Sequence, residues 1–434
     1  MRAGCSKEII TPIKPIKLAC VGDSDKNFSY IHDDVYVRCL ALDDGKKMVV
    51  LMSVDLLFHD ALLNDAIACY ANEKYGIDKS SVTVGYTHSH TSPASRGYNR
   101  NHHDDEYEEL LLTRAKACLD RAVNTMFEAE LEHGTFDADF NISRRGQIDG
   151  KFVNRPDFDY PRDREFSVLC VRDISGNVRS VIANYACHPV FYPTKDSVSG
   201  EFPARLCQLL DTKYYGAVSL FFQSSAGDVR PRPAVDMEKF SDPACTWPWK
   251  HGLTFSDISV FAEDMCREVS KLIENGGCTK KEVFFDSNAF EIELPMDGKP
   301  IEYFIEEKVK RINDPDNVYR NNAIYISDGG YEKLSDSLML RASVIKLSDD
   351  LYIATLGGEP CFGVRKAIER AFGDKKIIFI GYTDACAYIV DDRILSEGGY
   401  EPTCHLEYCL KGPFKPGLDA RYTNAFEKAL QRMK

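Results

Sequence analysis

His88 and His90 flank a single serine in the stretch YTHSHTSPAS, behind the alternating run VTVGY. Imidazole is the commonest metal ligand among side chains and the one that titrates nearest neutrality. At this spacing the two rings either share a cation or are two satisfied histidines of an ordinary sheet. Other polar residues stand in comparable places. His188 follows VIANYAC and precedes Pro189, Glu359 lies in the turn GGEP after LYIATL, and Tyr388 lies in YTDACAYIV just past KKIIFIG. QSSAGDVRPR follows AVSLFF in the same way. Singly, each has a plain structural reading, such as a strand-end residue or a helix N-terminal charge favoured by the dipole. Their shared position behind apolar runs is what points to one site.

The elements that must position these residues are legible from periodicity. KKMVVLMSVDLLF (46–58) reads as a buried strand, ALLNDAIACYANEKYG (61–76) has apolar residues at helical spacing and stops at a glycine, and SVTVGYTH (81–88) reads as a second strand. Together they predict a βαβ unit with parallel strands. REFSVLCVRD and VRSVIANYAC flank the turn ISGN and predict a hairpin. AVSLFF, LYIATL and KKIIFIG are further strands, the last following a helix, FGVRKAIERAF. The region 236–345 is less regular, with a helix expected over 255–273 and a strand near 282–294. Residues 236–252 hold both tryptophans and are expected to form a surface loop covering a site. Strands and helices alternate along the chain, which predicts an α/β domain spanning 1–434. In open α/β sheets ligands bind beyond the carboxyl ends of the strands. If the strand through Tyr86 persists, period-two alternation puts His88 and His90 on one face.

Composition narrows the function classes. With 54 Lys and Arg against 67 Asp and Glu the formal net charge is −13, which argues against nucleic acid, whose readers carry a basic stripe. No stretch approaches the roughly 20 apolar residues of a membrane span, and MRAGCSKEIITPIKPIKLACVG lacks the apolar core of an export signal. The fifteen cysteines include no C-x-x-C pair, so they are expected to be reduced thiols of a cytoplasmic protein. Cys404, His405 and Cys409 form a loose cluster, a weaker candidate for metal.

The ordered set TPIKP, VRCLALDDGKKMVVLMSVDLL, THSHTSP, NYACHPV, FFQSSAGDVRP, LGGEP and GYTDACAYIVDDRILSEGGYE resembles the neutral/alkaline (non-lysosomal) ceramidases and their bacterial relatives along essentially the whole chain. The resemblance implies mixed β-sheets flanked by helices, without the C-terminal immunoglobulin-like domain, for which no sequence remains. It implies one zinc ion held by His88, His188, Glu359 and Tyr388. Tyr400, twelve positions after Tyr388, matches a further active-site tyrosine. His90 would stand beside the metal as an oxyanion-binding group, and Arg144 of NISRR resembles the family's arginine near the site. Two neutral imidazoles and a carboxylate are a common open zinc set, a bound cation can release a phenol's proton, and water on such an ion reaches a pKa of about 7.

One position departs from the pattern. Where the family has a catalytic serine after G-D-V, this chain has Arg230, which cannot act as a nucleophile at neutral pH. Ser224 and Ser225 are conceivable substitutes, or merely hydroxyls of a turn. Arg144, Arg145, Arg230 and Arg232 either bring guanidinium forks to the metal, suiting carboxylates, phosphates or polyhydroxyl groups, or pair with local acids such as Asp149 and Asp228. The expectation is therefore a zinc-dependent hydrolase of an amide (N-acyl) bond, using metal-activated water on a small, polar or anionic molecule rather than ceramide. A hydrolase of a carbohydrate derivative or ester, an amidohydrolase-type barrel and an inactive carbohydrate-binding relative are the alternatives. A cysteine hydrolase using Cys187 is disfavoured, because adjacent strand residues face opposite sides. Neither the oligomeric state nor the metal held in the cell is encoded legibly.

Overall fold

Two open sheets packed face to face, with helices on both outer surfaces, make up the architecture. A computed structural model of the chain describes residues 1–20, 26–99, 102–194, 196–314, 317–384 and 386–433. The larger sheet runs Leu220–Gln223, Val178–Tyr185, Glu165–Asp173, Phe127–Asp137, Arg2–Ile9, Tyr36–Asp43, Met48–Val54, Val82–Tyr86, with Thr279–Lys281 added beside Phe127–Asp137. The smaller sheet runs Asp286–Pro295, Ser337–Lys346, Leu351–Leu356, Lys376–Ile380. Both are mixed: Met48–Val54 with Val82–Tyr86, Val178–Tyr185 with Leu220–Gln223, and Leu351–Leu356 with Lys376–Ile380 are parallel, and most other pairs are antiparallel. Sheets this open contain no barrel, which removes the amidohydrolase alternative.

The apolar alternation of the strands explains the layering. One side of the larger sheet offers Leu40, Leu42, Val49, Leu51, Leu169 and Phe222 to Ile345, Ile353, Ile378 and Ile380 of the smaller sheet. Its other side packs the helices Ala61–Tyr75 and Asp105–Asn124 at one end and Glu201–Lys213 and Phe255–Glu274 at the other. The helices Phe362–Phe372 and Leu418–Leu430 cover the outer face of the smaller sheet. Each buried Leu, Ile, Val or Phe contributes about 1.5–3 kcal/mol, so this double-sided burial is what fixes the strand ends in space.

The predicted βαβ unit is present, with Ala61–Tyr75 closed by Gly76 in the left-handed conformation, and so is the Glu165–Tyr185 hairpin. The helix expected over 255–273 and the strand near 282–294 are found at Phe255–Glu274 and Asp286–Pro295. One expectation about geometry fails. The strand stops at Tyr86, and His88 has φ of 64°, so strand alternation does not aim the two rings. A turn does so, held by Thr87 N–H to Val54 O and His88 N–H to Leu56 O, both 2.9 Å.

Candidate metal centre

Chain segments from distant parts of the sequence meet at one cavity of ≈ 290 Å³. His88 and His90 come from the turn after Val82–Tyr86, His188 from the end of Val178–Tyr185, and Arg230 from Val229–Pro231. Glu359 and Tyr388 face each other as register partners in a two-stranded parallel sheet, Glu359–Pro360 with Tyr388–Ile389. Two glycines permit this convergence. Gly358 has φ of 73°, and a Cβ there would sit 2.5 Å from Ala387 O. A Cβ on Gly227 would sit 2.6 Å from Glu359 O, so only glycine lets the QSSAGDV loop press against the turn that carries Glu359.

The nitrogens that meet here lack a proton to share. His88 Nδ1 lies 3.1 Å from Leu57 O, and His188 Nδ1 lies 3.1 Å from Ala226 O. A carbonyl only accepts, so both Nδ1 atoms carry the hydrogen, and an imidazole with one hydrogen, on Nδ1, has a bare Nε2. Those bare nitrogens are 3.0 Å apart. Glu359 Oε2 lies 3.3 Å from one and 3.4 Å from the other and, among the described residues, has no hydrogen-bond partner. Three lone pairs thus converge in a buried place, an arrangement that a cation between them resolves. Burial, reinforced by His88 and Arg144, pushes the His188 pKa well below the usual imidazole value. Two imidazoles and a carboxylate are a donor set that suits zinc, so the residues fit the ion. Among the described residues His88, His90 and His188 are the one group of three or more His, Cys, Asp or Glu placed to hold a metal.

Around this point the polar side chains form a buried network. His90 Nε2 lies 3.3 Å from His88 Nε2, while its Nδ1 faces the Tyr192 hydroxyl at 3.1 Å. Tyr408 donates from its hydroxyl to Glu359 Oε1. The Tyr388 phenol is raised by burial, opposed by Arg144, whose guanidinium carbon lies 5.1 Å from the ring centroid. Arg144 Nε also donates to Glu401 at 3.0 Å. Tyr400 donates to Glu407 Oε2 at 2.8 Å, and Tyr98 and Tyr319 donate to the same carboxylate. Burial raises the Glu407 pKa, and the three phenols oppose the rise.

All eight residues expected in the site, His88, His90, Arg144, His188, Arg230, Glu359, Tyr388 and Tyr400, line this cavity. Other expectations fall away. Arg145 turns to Glu401, Glu397 and Gly398 O and stacks on Phe152, and Arg232 pairs with Asp139 at the surface. Ser224 and Ser225 both donate to Asp163 at 2.7 Å, so they secure a turn instead of facing the cavity. Asp228 caps the helix Phe362–Phe372, accepting from the Phe362 amide. The His405 ring sits by Tyr303, and among the described residues no metal-type cluster includes it. The loop 236–252 does reach the cavity, through Trp247. Glu407, Tyr408, Tyr192 and Tyr98 are the residues that the sequence did not expose; only the density of tyrosine and glutamate after Tyr400, in YEPTCHLEY, hints at two of them.

Fold and site together define an open αββα protein with a buried histidine–carboxylate centre at its strand ends. Two solved structures with this architecture are ceramidases. The neutral ceramidase from Pseudomonas aeruginosa superposes with a TM-score of 0.72 at 14% identity, over 99% of this chain and 73% of that one. A ceramidase complexed with C2 superposes with a TM-score of 0.71 at 13% identity, over 99% and 74% of the two chains. No family model and no curated protein sequence matches. The chain therefore has the neutral ceramidase fold, shared across a wide sequence distance. No helix among the described residues is long and apolar enough to cross a membrane.

Proposed function

We propose that the chain is a metal-dependent hydrolase of amide (N-acyl) bonds, with one zinc ion held by His88, His188, Glu359 and Tyr388. The observation that carries this reading is the meeting of two bare imidazole nitrogens and an orphaned carboxylate oxygen within 3.4 Å of one another. The ion would polarise the scissile carbonyl and bring a water molecule toward a pKa of about 7. The chain's own groups do the rest. Tyr192 faces Nδ1 of His90 and leaves its Nε2 directed at the centre, where it can donate to an oxyanion. Tyr400 donates its phenol proton to Glu407 Oε2, from where the hydroxyl can turn to protonate a leaving nitrogen. Arg144, anchored by Glu401, keeps a positive charge beside Tyr388 and so favours the phenolate as a ligand.

The ceramidase likeness supports hydrolysis but not ceramide as the substrate. The cavity is at the small end for ligand pockets and sets arginine, glutamate and phenol groups in a largely apolar wall, which favours a small molecule with a polar or anionic group at one end. Fifteen free thiols support a reducing, cytoplasmic setting. The test is metal analysis of protein purified without chelator, expected to give about one zinc per chain, followed by a chelator-controlled screen over N-acyl amino acids, N-acyl sugars and short esters. His188→Ala should lose both zinc and turnover. Unchanged zinc content in that variant would remove His188 from the centre.

A further inference from the structure

Arg230 lines the cavity, yet none of the groups assigned above uses its charge. Its guanidinium carbon lies 4.6 Å from the ring centroid of Trp249 and 5.3 Å from that of Trp247, the two tryptophans of the chain. The residue is 5% exposed, and among the described residues its Nε and Nη1 have no hydrogen-bond partner. Burial lowers its pKa to about 10, opposed by Tyr192 and reinforced by Arg144, so it is a cation at neutral pH. Four other buried arginines are neutralised, Arg38 by Asp55, Arg144 and Arg145 by Glu401 and Arg365 by Asp163, and Arg155 donates to the carbonyls of Phe240 and Cys245. Among the described residues Arg230 forms no ion pair. Glu201 is close enough to feel it, but its carboxyl is pushed up to about 8 by burial and its Oε2 accepts from the Phe191 amide.

An unpaired buried cation is costly, and the cost is recovered when an anion arrives. Both indoles lie within cation–π distance of the guanidinium and favour its remaining beside them. We propose that Arg230, packed against Trp247 and Trp249, binds a carboxylate of the substrate, making the chain selective for N-acyl compounds that carry a free carboxylate. Only the fate of the acyl bond rests on the hydrolase reading; the binding site does not. A monoanionic carboxylate fits better than a phosphate because, among the described arginines lining this cavity of ≈ 290 Å³, Arg230 is the one without an ion pair, Arg144 being paired with Glu401.

Both tryptophans flank Arg230, so intrinsic fluorescence reports on its occupancy without any turnover. The experiment titrates chelated protein with N-acetylglycine, its uncharged counterpart N-acetylglycinamide, and inorganic phosphate; chelation excludes direct capture of the carboxylate by zinc. N-acetylglycine is expected to bind at least about tenfold more tightly than the amide, the range for a hydrogen bond to a charged group, and Arg230→Gln should erase the difference. Equal affinity of the wild type for acid and amide would overturn the proposal even if the variant failed to fold. So would tighter binding of phosphate, or a preference that survives in a folded Arg230→Gln protein. Absence of hydrolysis in the zinc-loaded protein would instead count against the hydrolase reading, leaving the acid–amide preference as it stands.

Discussion

Replacing Glu359 by glutamine should reverse the order of stability between metal-free and zinc-loaded protein. At pH 8 the wild-type chain without metal holds Glu359 Oε2 at 3.3 and 3.4 Å from two imidazole nitrogens that have no hydrogen to offer, each Nδ1 hydrogen being committed to a backbone carbonyl. In Glu359→Gln the side-chain oxygen can keep the Tyr408 hydroxyl, while the amide group donates to one bare nitrogen and the buried charge disappears. That gain is about 1 kcal/mol. With zinc the sign changes. A four-ligand zinc site contributes about 10–16 kcal/mol, so one ligand accounts for about 3 kcal/mol, or about a hundredfold in affinity. At zinc a hundred times above the wild-type Kd, the wild type gains about 2.7 kcal/mol and the variant about 0.4, leaving the wild type ahead by about 1 kcal/mol. Scanning calorimetry of both proteins, in EDTA and in zinc, reads the order of their melting temperatures directly. A chelated variant that melts below the chelated wild type, or zinc that raises both equally, would refute the argument that lone pairs crowd an ion site.

Two further outcomes follow from packing and charge. Gly227→Ala, whose new Cβ would meet Glu359 O at 2.6 Å, should weaken zinc binding roughly tenfold or more in a protein that still folds; isothermal titration with zinc checks it, and an unchanged Kd would show that the loop yields freely. His59 has its pKa raised to about 9, burial opposing and Asp60 and Glu108 producing the rise. Since the folded value exceeds the unfolded one of about 6.5, this stabilisation of about 3 kcal/mol is complete below pH 6.5 and is lost by about pH 9. Wild-type stability should therefore decline across that window relative to His59→Gln, and parallel pH profiles would dismiss the effect.

The strands, their helices and the eight cavity residues were legible because each depends on a local pattern: an apolar run, then a polar residue where the run ends. What the pattern could not reveal is side-chain partnership across distant segments. Arg145 and Arg232 sit in the same motifs as Arg144 and Arg230, but Glu401 and Asp139 claim them from elsewhere in the fold. Ser224 and Ser225 likewise answer to Asp163, some sixty residues away. Glu407 is visible as an acid, yet its role as acceptor for Tyr98, Tyr319 and Tyr400 depends on chain segments that only the tertiary structure joins. Both rings of the H-x-H pair line the cavity, although the strand whose alternation would put them on one face stops at Tyr86. A backbone in the left-handed region aims His88, and no sequence period encodes that.

His88 shares that left-handed backbone with Tyr192, which also lines the cavity, and with Tyr382, whose ring centroid lies 4.6 Å from that of His88. An L-residue held this way gives up about 1–2 kcal/mol, so the walls of the cavity are locally less stable than glycine would make them. Selection of variants for heat resistance alone would drift toward Gly or Asn at these positions, which keep the left-handed turns but remove the imidazole and phenol rings that the turns aim. A tougher protein obtained in that manner should be a blunter one.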